Sequence, residues 1–129
     1  MSSPRVLVVD DEEAILLAMK DYLEHRGYRV DCAGALAQAQ ALLDTERYAV
    51  VVADLRLSAA EQAGGLRLLR YVRQASPDTR TVLLTAYGSP EAEAEARRIG
   101  VDALLAKSEG LGEVAAVLDG LSTRGAPGG

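Results

Sequence analysis

Five side chains in this sequence have the types and the spacing for one piece of chemistry: Asp10, Asp11, Asp54, Thr85 and Lys107. They end or follow short apolar runs of strand character, VLVV before Asp10, VVVA before Asp54, VLL before Thr85 and ALLA before Lys107. Taken singly, each is ordinary, because acids cap helices and polar residues end strands. Brought to one sheet edge, they make a site. Three carboxylates within ~4–6 Å of one another repel by several kcal/mol at an effective dielectric of ~20. A hard divalent cation relieves that crowding. An all-oxygen donor set with no His or Cys nearby suits Mg2+, which keeps several waters and often binds phosphate as well. A lysine in the same place would neutralise a phosphoryl oxygen, and a threonine hydroxyl would donate to another. The chemistry indicated is phosphoryl transfer with a carboxylate as nucleophile.

The elements that must position these residues follow from the apolar pattern. Val6 to Val9 is a continuous buried-strand run, and Glu12 to Arg26 has helical spacing, with Leu16, Met19 and Leu23 on one face and Gly27 as its stop. Tyr28 to Ala33 reads as a partly charged edge strand, Leu36 to Arg47 as a helix, and Tyr48 to Ala53 as a second buried strand. After a loop from Leu55 to Gly64 come a helix over Gly65 to Gln74, a turn at Ser76-Pro77-Asp78 and a strand over Thr81 to Thr85. Ser89 as N-cap and Pro90 at the first helical position open a helix to Arg98, stopped by Gly100. Ala103 to Ala106 is a short strand and Leu111 to Leu121 a last helix. Such alternation requires right-handed crossovers and a parallel sheet covered on both faces. The expected fold is α/β, a flavodoxin-like, doubly wound, five-stranded parallel sheet of order 2-1-3-4-5 with five helices. Ligands of such sheets bind beyond the carboxyl ends of the strands, where all five candidate residues lie. The domain is expected over residues 1–121, with 122–129 (STRGAPGG) as a C-terminal tail or truncated linker.

Composition narrows the setting. The 129 residues carry 14 Lys plus Arg against 19 Asp plus Glu, a net charge of −5, which argues against a basic footprint for nucleic acid or anionic membrane. There is no Trp and no Phe, so the core must be aliphatic and stacking platforms for single-stranded nucleic acid are missing. One cysteine, Cys32, permits neither an internal disulfide nor a thiolate zinc cluster and is read as packing. No apolar run approaches the ~18 residues of a membrane span. The opening reaches two carboxylates too soon for a signal peptide. A cytoplasmic location is expected. His25, the only histidine, is read as a cation at a helix end.

VLVVDDEE at Val6 to Glu13, VVADLRL at Val51 to Leu57, LLTAYG at Leu83 to Gly88 and LLAKS at Leu104 to Ser108 resemble, in order and separation, the receiver domain of two-component response regulators. The resemblance spans Val6 to Leu121. It implies that Asp54 is the phospho-accepting aspartate, and that Asp11 binds Mg2+ directly with Asp10 acting through water. The backbone carbonyl of Arg56 would complete the metal's protein ligands. Thr85 would be the hydroxyl that moves toward the phosphoryl group, and Lys107 the lysine that pairs with it. It further implies a sensor histidine kinase or histidine phosphotransfer protein as partner, no nucleic acid or membrane contacted by this chain, and a homodimer through the helix 4–strand 5–helix 5 face. That face has Leu104 at its switch position and Ala92, Ala96 and Ile99 as the stripe of its helix. The chain would not be an enzyme, since such a domain catalyses only its own phosphorylation and dephosphorylation.

The sequence departs from the family pattern at particular places. Ser108 follows Lys107 where the family carries a proline with a cis bond. A cis bond before a non-proline residue costs ~2.5–4 kcal/mol, so a trans peptide and a reshaped loop are expected. Leu104 stands where an aromatic switch residue is usual, so a threonine shift cannot be relayed by ring rotation. LSAAEQAGG, from Leu57 to Gly65, lacks a proline at Ser58 and places Gly64–Gly65 about two residues late. These departures define the alternative, a pseudo-receiver docking module that works without phosphorylation. An aspartate-nucleophile phosphatase would need a second acid two residues after Asp54, where Arg56 stands. A Rossmann-type nucleotide site would need a glycine-rich turn after the first strand.

Overall fold

In this computed structural model, residues 3–57, 64–86 and 90–125 are described, with side chains to residue 122. Strands and helices alternate: β1 (Arg5–Val9), α1 (Glu13–His25), β2 (Arg29–Ala33), α2 (Leu36–Thr45), β3 (Val50–Asp54), α3 (Gly64–Ala75), β4 (Arg80–Thr85), α4 (Pro90–Ile99), β5 (Ala103–Ala106) and α5 (Leu111–Gly125). A short 3₁₀ turn, Lys107–Glu109, joins β5 to α5. All strand pairings are parallel and the order is β2-β1-β3-β4-β5, the expected architecture.

The apolar runs form strands because both faces of the sheet are covered. Side chains alternate along each strand. Val6, Val8, Val50, Val52, Val82 and Leu84 pack with Leu16, Met19 and Leu23 of α1 and Val114 and Leu118 of α5. Leu7, Val9, Val51, Ala53 and Leu83 point the other way, onto Ala39 of α2, Leu66, Leu69 and Val72 of α3 and Ala96 of α4. Cys32 is half-buried against the first of these cores, its thiol 3.7 Å from the Leu16 carbonyl, and burial pushes the thiol pKa up. That placement agrees with a packing role. No helix among the described residues is long and apolar enough to cross a membrane.

The differences from the expected boundaries have local causes. The strand expected from Tyr48 begins at Val50, because the Tyr48 carbonyl accepts a hydrogen bond from the Thr79 hydroxyl at 2.8 Å and its own hydroxyl donates to Asp31 at 2.6 Å. The helix expected to reach Arg47 ends at Thr45. There the Thr45 hydroxyl bonds back to the Ala41 and Leu42 carbonyls, and Glu46 turns extended and pairs with Arg5. At the other end of the chain, α5 runs four residues past Leu121, to Gly125. The expected N-cap Ser89, the inserted loop residues 58–63 and the last four residues of the tail lie outside the described residues.

Candidate functional site

The register of the sheet brings the candidate residues together. Asp54 is the last residue of β3 and pairs with Leu84, one residue before Thr85, which pairs with Ala106, one residue before Lys107. Asp10 follows β1, whose Val9 lies beside Ala53. Asp10 is 1% exposed, Asp54 6%, and Thr85 is buried with them. Asp11 and Arg56 are exposed.

Lys107 is the hub of the charges. Its ammonium lies 3.0 Å from Asp10 Oδ2, 3.2 Å from Asp54 Oδ2 and 3.4 Å from Glu12 Oε1. Glu12, the extended residue preceding α1, was not among the residues singled out in the sequence. It lies within the DDEE run, but its part is set by a lysine 95 positions away. The backbone N–H of Glu12 donates to Asp10 Oδ1 at 2.9 Å, which fixes that carboxylate at the amino end of α1, where the helix dipole favours negative charge. Asp10 Oδ2 is buried and has the Lys107 ammonium as its partner. One carboxylate oxygen from each of Asp10, Asp11 and Glu12 falls within 4.8 Å of the others. This oxygen-only cluster, anchored on buried Asp10, is a donor set that fits a hard divalent cation.

Burial raises the Asp54 pKa, and the charge of Asp10 adds to it; the opposing effects of Lys107 and of the Arg56 backbone N–H do not cancel the rise. For Lys107, burial alone would lower the pKa, but hydrogen bonds and charge from Asp10 and then Asp54 outweigh it and the ammonium is held above its usual value. The sign for stability follows. An acid raised in the folded state binds its proton more tightly there, so stability falls as pH rises from 3.8 through the raised value. Ionised Asp54 is therefore a cost at neutral pH. Asp54→Asn is expected to raise the thermal midpoint at pH 7 by a few °C, on the order of 1 kcal/mol. A lower midpoint in calorimetry would mean that the Lys107 pairing outweighs burial.

Two backbone features shape the surroundings. A Cβ built on Gly65 would stand 2.2 Å from the Asp54 carbonyl oxygen, so the first turn of α3 is seated directly on the backbone that carries Asp54. The Gly65 N–H donates to the Leu55 carbonyl at 3.0 Å and locks that approach. The glycine that arrives late in the sequence thus still reaches this close contact. After Lys107 the described backbone contains no cis peptide, in line with the expectation for Ser108. The Glu109 carboxylate accepts from the Ala106 N–H at 3.3 Å, and Gly110, at φ +87°, turns the chain into α5.

The remaining singled-out residues separate from the site. Leu104 pairs with Leu83 in register and packs half-buried against the core beneath α3 and α4. Ala96 is 1% exposed and belongs to the protein's own interior, while Ile99 packs half-buried on the same core and Ala92 is half-buried. The outward side of α4 is made by Glu91, Ala94, Arg97 and Arg98. His25 lies at the end of α1, far along the chain from the acids. Its ring meets the Asp21 carbonyl at 2.8 Å, and that hydrogen bond raises its pKa, as befits a helix-end cation.

A model of the family described as response regulator receiver domain matches residues 6–119. Among curated proteins, the chain is 32% identical over 115 residues to the photosynthetic apparatus regulatory protein RegA of Rhodovulum sulfidophilum, covering 89% of this chain and 61% of RegA. Among solved structures, a CheY-like response regulator receiver domain protein from Methanospirillum hungatei superposes with a TM-score of 0.89 at 26% identity, covering 96% of this chain and 97% of that one. A response regulator protein from Burkholderia pseudomallei, solved with a phosphorylated aspartic acid, calcium ion and citrate, gives 0.82 at 30% identity, covering 95% of this chain and 70% of that one.

Proposed function

The chain belongs to the response regulator receiver domain family, and on that premise we propose that Asp54 accepts a phosphoryl group from a partner's phosphohistidine, with Mg2+ bound, and that the modification switches a protein-interaction surface. The observation that carries the proposal is the placement of Asp54, buried at the end of β3 and 3.2 Å from the Lys107 ammonium. In the reaction the Asp54 carboxylate oxygen bonds to phosphorus as the bond from phosphorus to the imidazole nitrogen breaks. The electron pair leaves with the imidazole, which takes up a proton. Asp10 and Asp11, with Asp54 and the Arg56 carbonyl, would hold Mg2+, whose charge offsets the acidic cluster and the phosphoryl oxygens. Lys107, no longer needed by an ionised Asp54, pairs with a phosphoryl oxygen. Thr85, at the end of the adjacent strand, turns its hydroxyl toward another. The phosphorylated aspartic acid and the calcium ion of the Burkholderia pseudomallei neighbour support the same reading of Asp54 and of a divalent site.

A phosphoryl group adds charge at the carboxyl ends of the strands, and the fold must accommodate it by rearranging what lies beside Thr85. With Leu104 packed among aliphatic side chains, the readout is a shift in packing beneath α4 rather than the rotation of a ring. The surface so changed is that of α4, β5 and α5, which would meet a downstream protein or a second copy. The kinase or phosphotransfer partner supplies the donor histidine. Receiver domains are not enzymes in the usual sense, and self-modification is the only chemistry proposed.

Intact-mass measurement after incubation with Mg2+ and a small phosphodonor tests this. One added phosphoryl group, absent in Asp54→Asn and absent when the divalent cation is chelated, is the expected result. No adduct from either the small donor or a phosphorylated histidine partner, with no Mg2+ binding, would overturn it.

A further inference from the structure

The chain carries a net charge of −5, yet α3 holds Arg67, Arg70 and Arg73 and no acid at all. Spaced three residues apart, these arginines climb about 9 Å of the helix, each turned about 60° from the one before. Arg70 and Arg73 face α4, which has Arg97 and Arg98 in its last turn. Between the two helices lies an open cleft of about 290 Å3, lined by Arg70, Arg73, Gln74, Glu95, Arg98 and Ile99. Glu95 is its only carboxylate and is shared, with Oε1 accepting from Arg70 at 2.6 Å and Oε2 pairing with Arg98 at 3.1 Å. Arg73 pairs with no carboxylate among the described residues. Its guanidinium lies beside Gly100, where a Cβ would meet Nε and Nη2 at 3.6 Å. Three guanidiniums to one carboxylate leave the cleft positive by two on an acidic protein.

We propose that the α3–α4 cleft is a docking site for an acidic polypeptide segment of a partner protein. Guanidiniums match carboxylates with paired, directional hydrogen bonds, and here Glu95 already holds those of Arg70 and Arg98 in place, so less side-chain freedom is lost on binding. The charge layout selects the kind of anion. A compact phosphate would seek the centre of the guanidiniums, which Glu95 occupies. Carboxylates strung along a chain can pass on either side of Glu95 and meet Arg73 and the outer edges of Arg70 and Arg98. Ile99 offers an apolar floor to the stems of glutamate side chains. The inference rests on charge and packing far from Asp54 and does not depend on phosphorylation.

The test uses a labelled peptide of alternating glutamate and alanine, a matching lysine–alanine peptide, and inorganic triphosphate. The acidic peptide is expected to bind at low salt and to weaken steeply as salt is added, while the basic peptide does not bind. Replacing Arg70 and Arg73 together by glutamine should weaken binding roughly tenfold or more, whereas the same charge change at exposed Arg29 and Arg47 should alter it by less than about threefold. Glu95→Gln, which removes the competing carboxylate, should tighten binding about two- to fivefold, a change of opposite sign to any loss from misfolding. The proposal is overturned if the two double variants lose affinity equally, if Glu95→Gln weakens binding, or if triphosphate binds the cleft and the peptide does not. Acidic peptide without effect alongside concentration-dependent self-association through these arginines would also overturn it, in favour of a second copy as occupant.

Discussion

Gly65→Ala is expected to destabilise the protein by about 3 kcal/mol or more and to reduce phosphoryl-adduct yield with it. The added methyl would stand 2.2 Å from the Asp54 carbonyl oxygen, 2.8 Å from its carbon and 2.9 Å from Leu55 Cα. All three are backbone atoms. They belong to the end of a strand hydrogen-bonded on both sides, with the Leu55 N–H held to the Leu84 carbonyl at 2.8 Å, so they cannot swing away as a flexible side chain would. Relief requires α3 to back off the sheet, which opens the core around Leu66 and Leu69. Gly120→Ala is the matched control. It lies within α5 with nothing within 4 Å of a built Cβ, and there the better helix former should be neutral or stabilising by up to ~1 kcal/mol. Urea unfolding of the two variants side by side decides the matter, and equal midpoints would refute the close contact at Gly65.

Lys107→Met should cost about 2 kcal/mol at pH 7. Removing one partner of a buried ion pair costs ~3–5 kcal/mol, and the lower figure reflects a lysine that keeps 19% of its side chain exposed. The loss falls on Asp10 and Asp54, since Glu12 is well exposed and solvent replaces what it gives up. The pH dependence has a definite sign. Without the ammonium, Asp54 is harder still to ionise in the folded state, so the penalty is full at neutral pH and shrinks as pH falls and a proton neutralises it. Divalent cation should restore more stability to the variant than to the parent protein, because added positive charge replaces the missing one. Thermal unfolding at several pH values, with and without Mg2+, measures all of this. A deficit of the same size at acidic and neutral pH would show that Lys107 acts through packing alone.

The parts of this protein that the sequence made legible are those set by neighbours in the chain. VLVVD and VVVAD announce buried strands ending in acids because parallel strands covered on both faces read as unbroken apolar runs. The order of alternating elements then places Asp10, Asp54, Thr85 and Lys107 on one edge. What remained hidden arises across the chain. Tyr48 looks like strand, yet Thr79, 31 residues on, takes its carbonyl. Glu12 looks like an ordinary first-turn acid until Lys107 reaches it. Gly65 appears displaced by an insertion, although what it must satisfy is a distance to the Asp54 backbone and not a count of residues. The pairing of Arg70 with Glu95, 25 positions on, joins α3 to α4 and has no local signal at all.

The position of β5 at the margin of the sheet has a consequence for motion. Asp10, Asp54 and Thr85 stand at the ends of β1, β3 and β4, each bonded to a strand on either side. Lys107 hangs from β5, four residues long and paired on one side only, and leads straight into a single 3₁₀ turn. Backbone amides of the three inner strands exchange with solvent only through the costliest openings of the molecule, and those of a short outer strand through much cheaper ones. The acids and the hydroxyl are thus held on the least yielding part of the protein and the cation on one of the more readily yielding. The lysine can follow negative charge from one oxygen to another while the carboxylates stay where the sheet puts them.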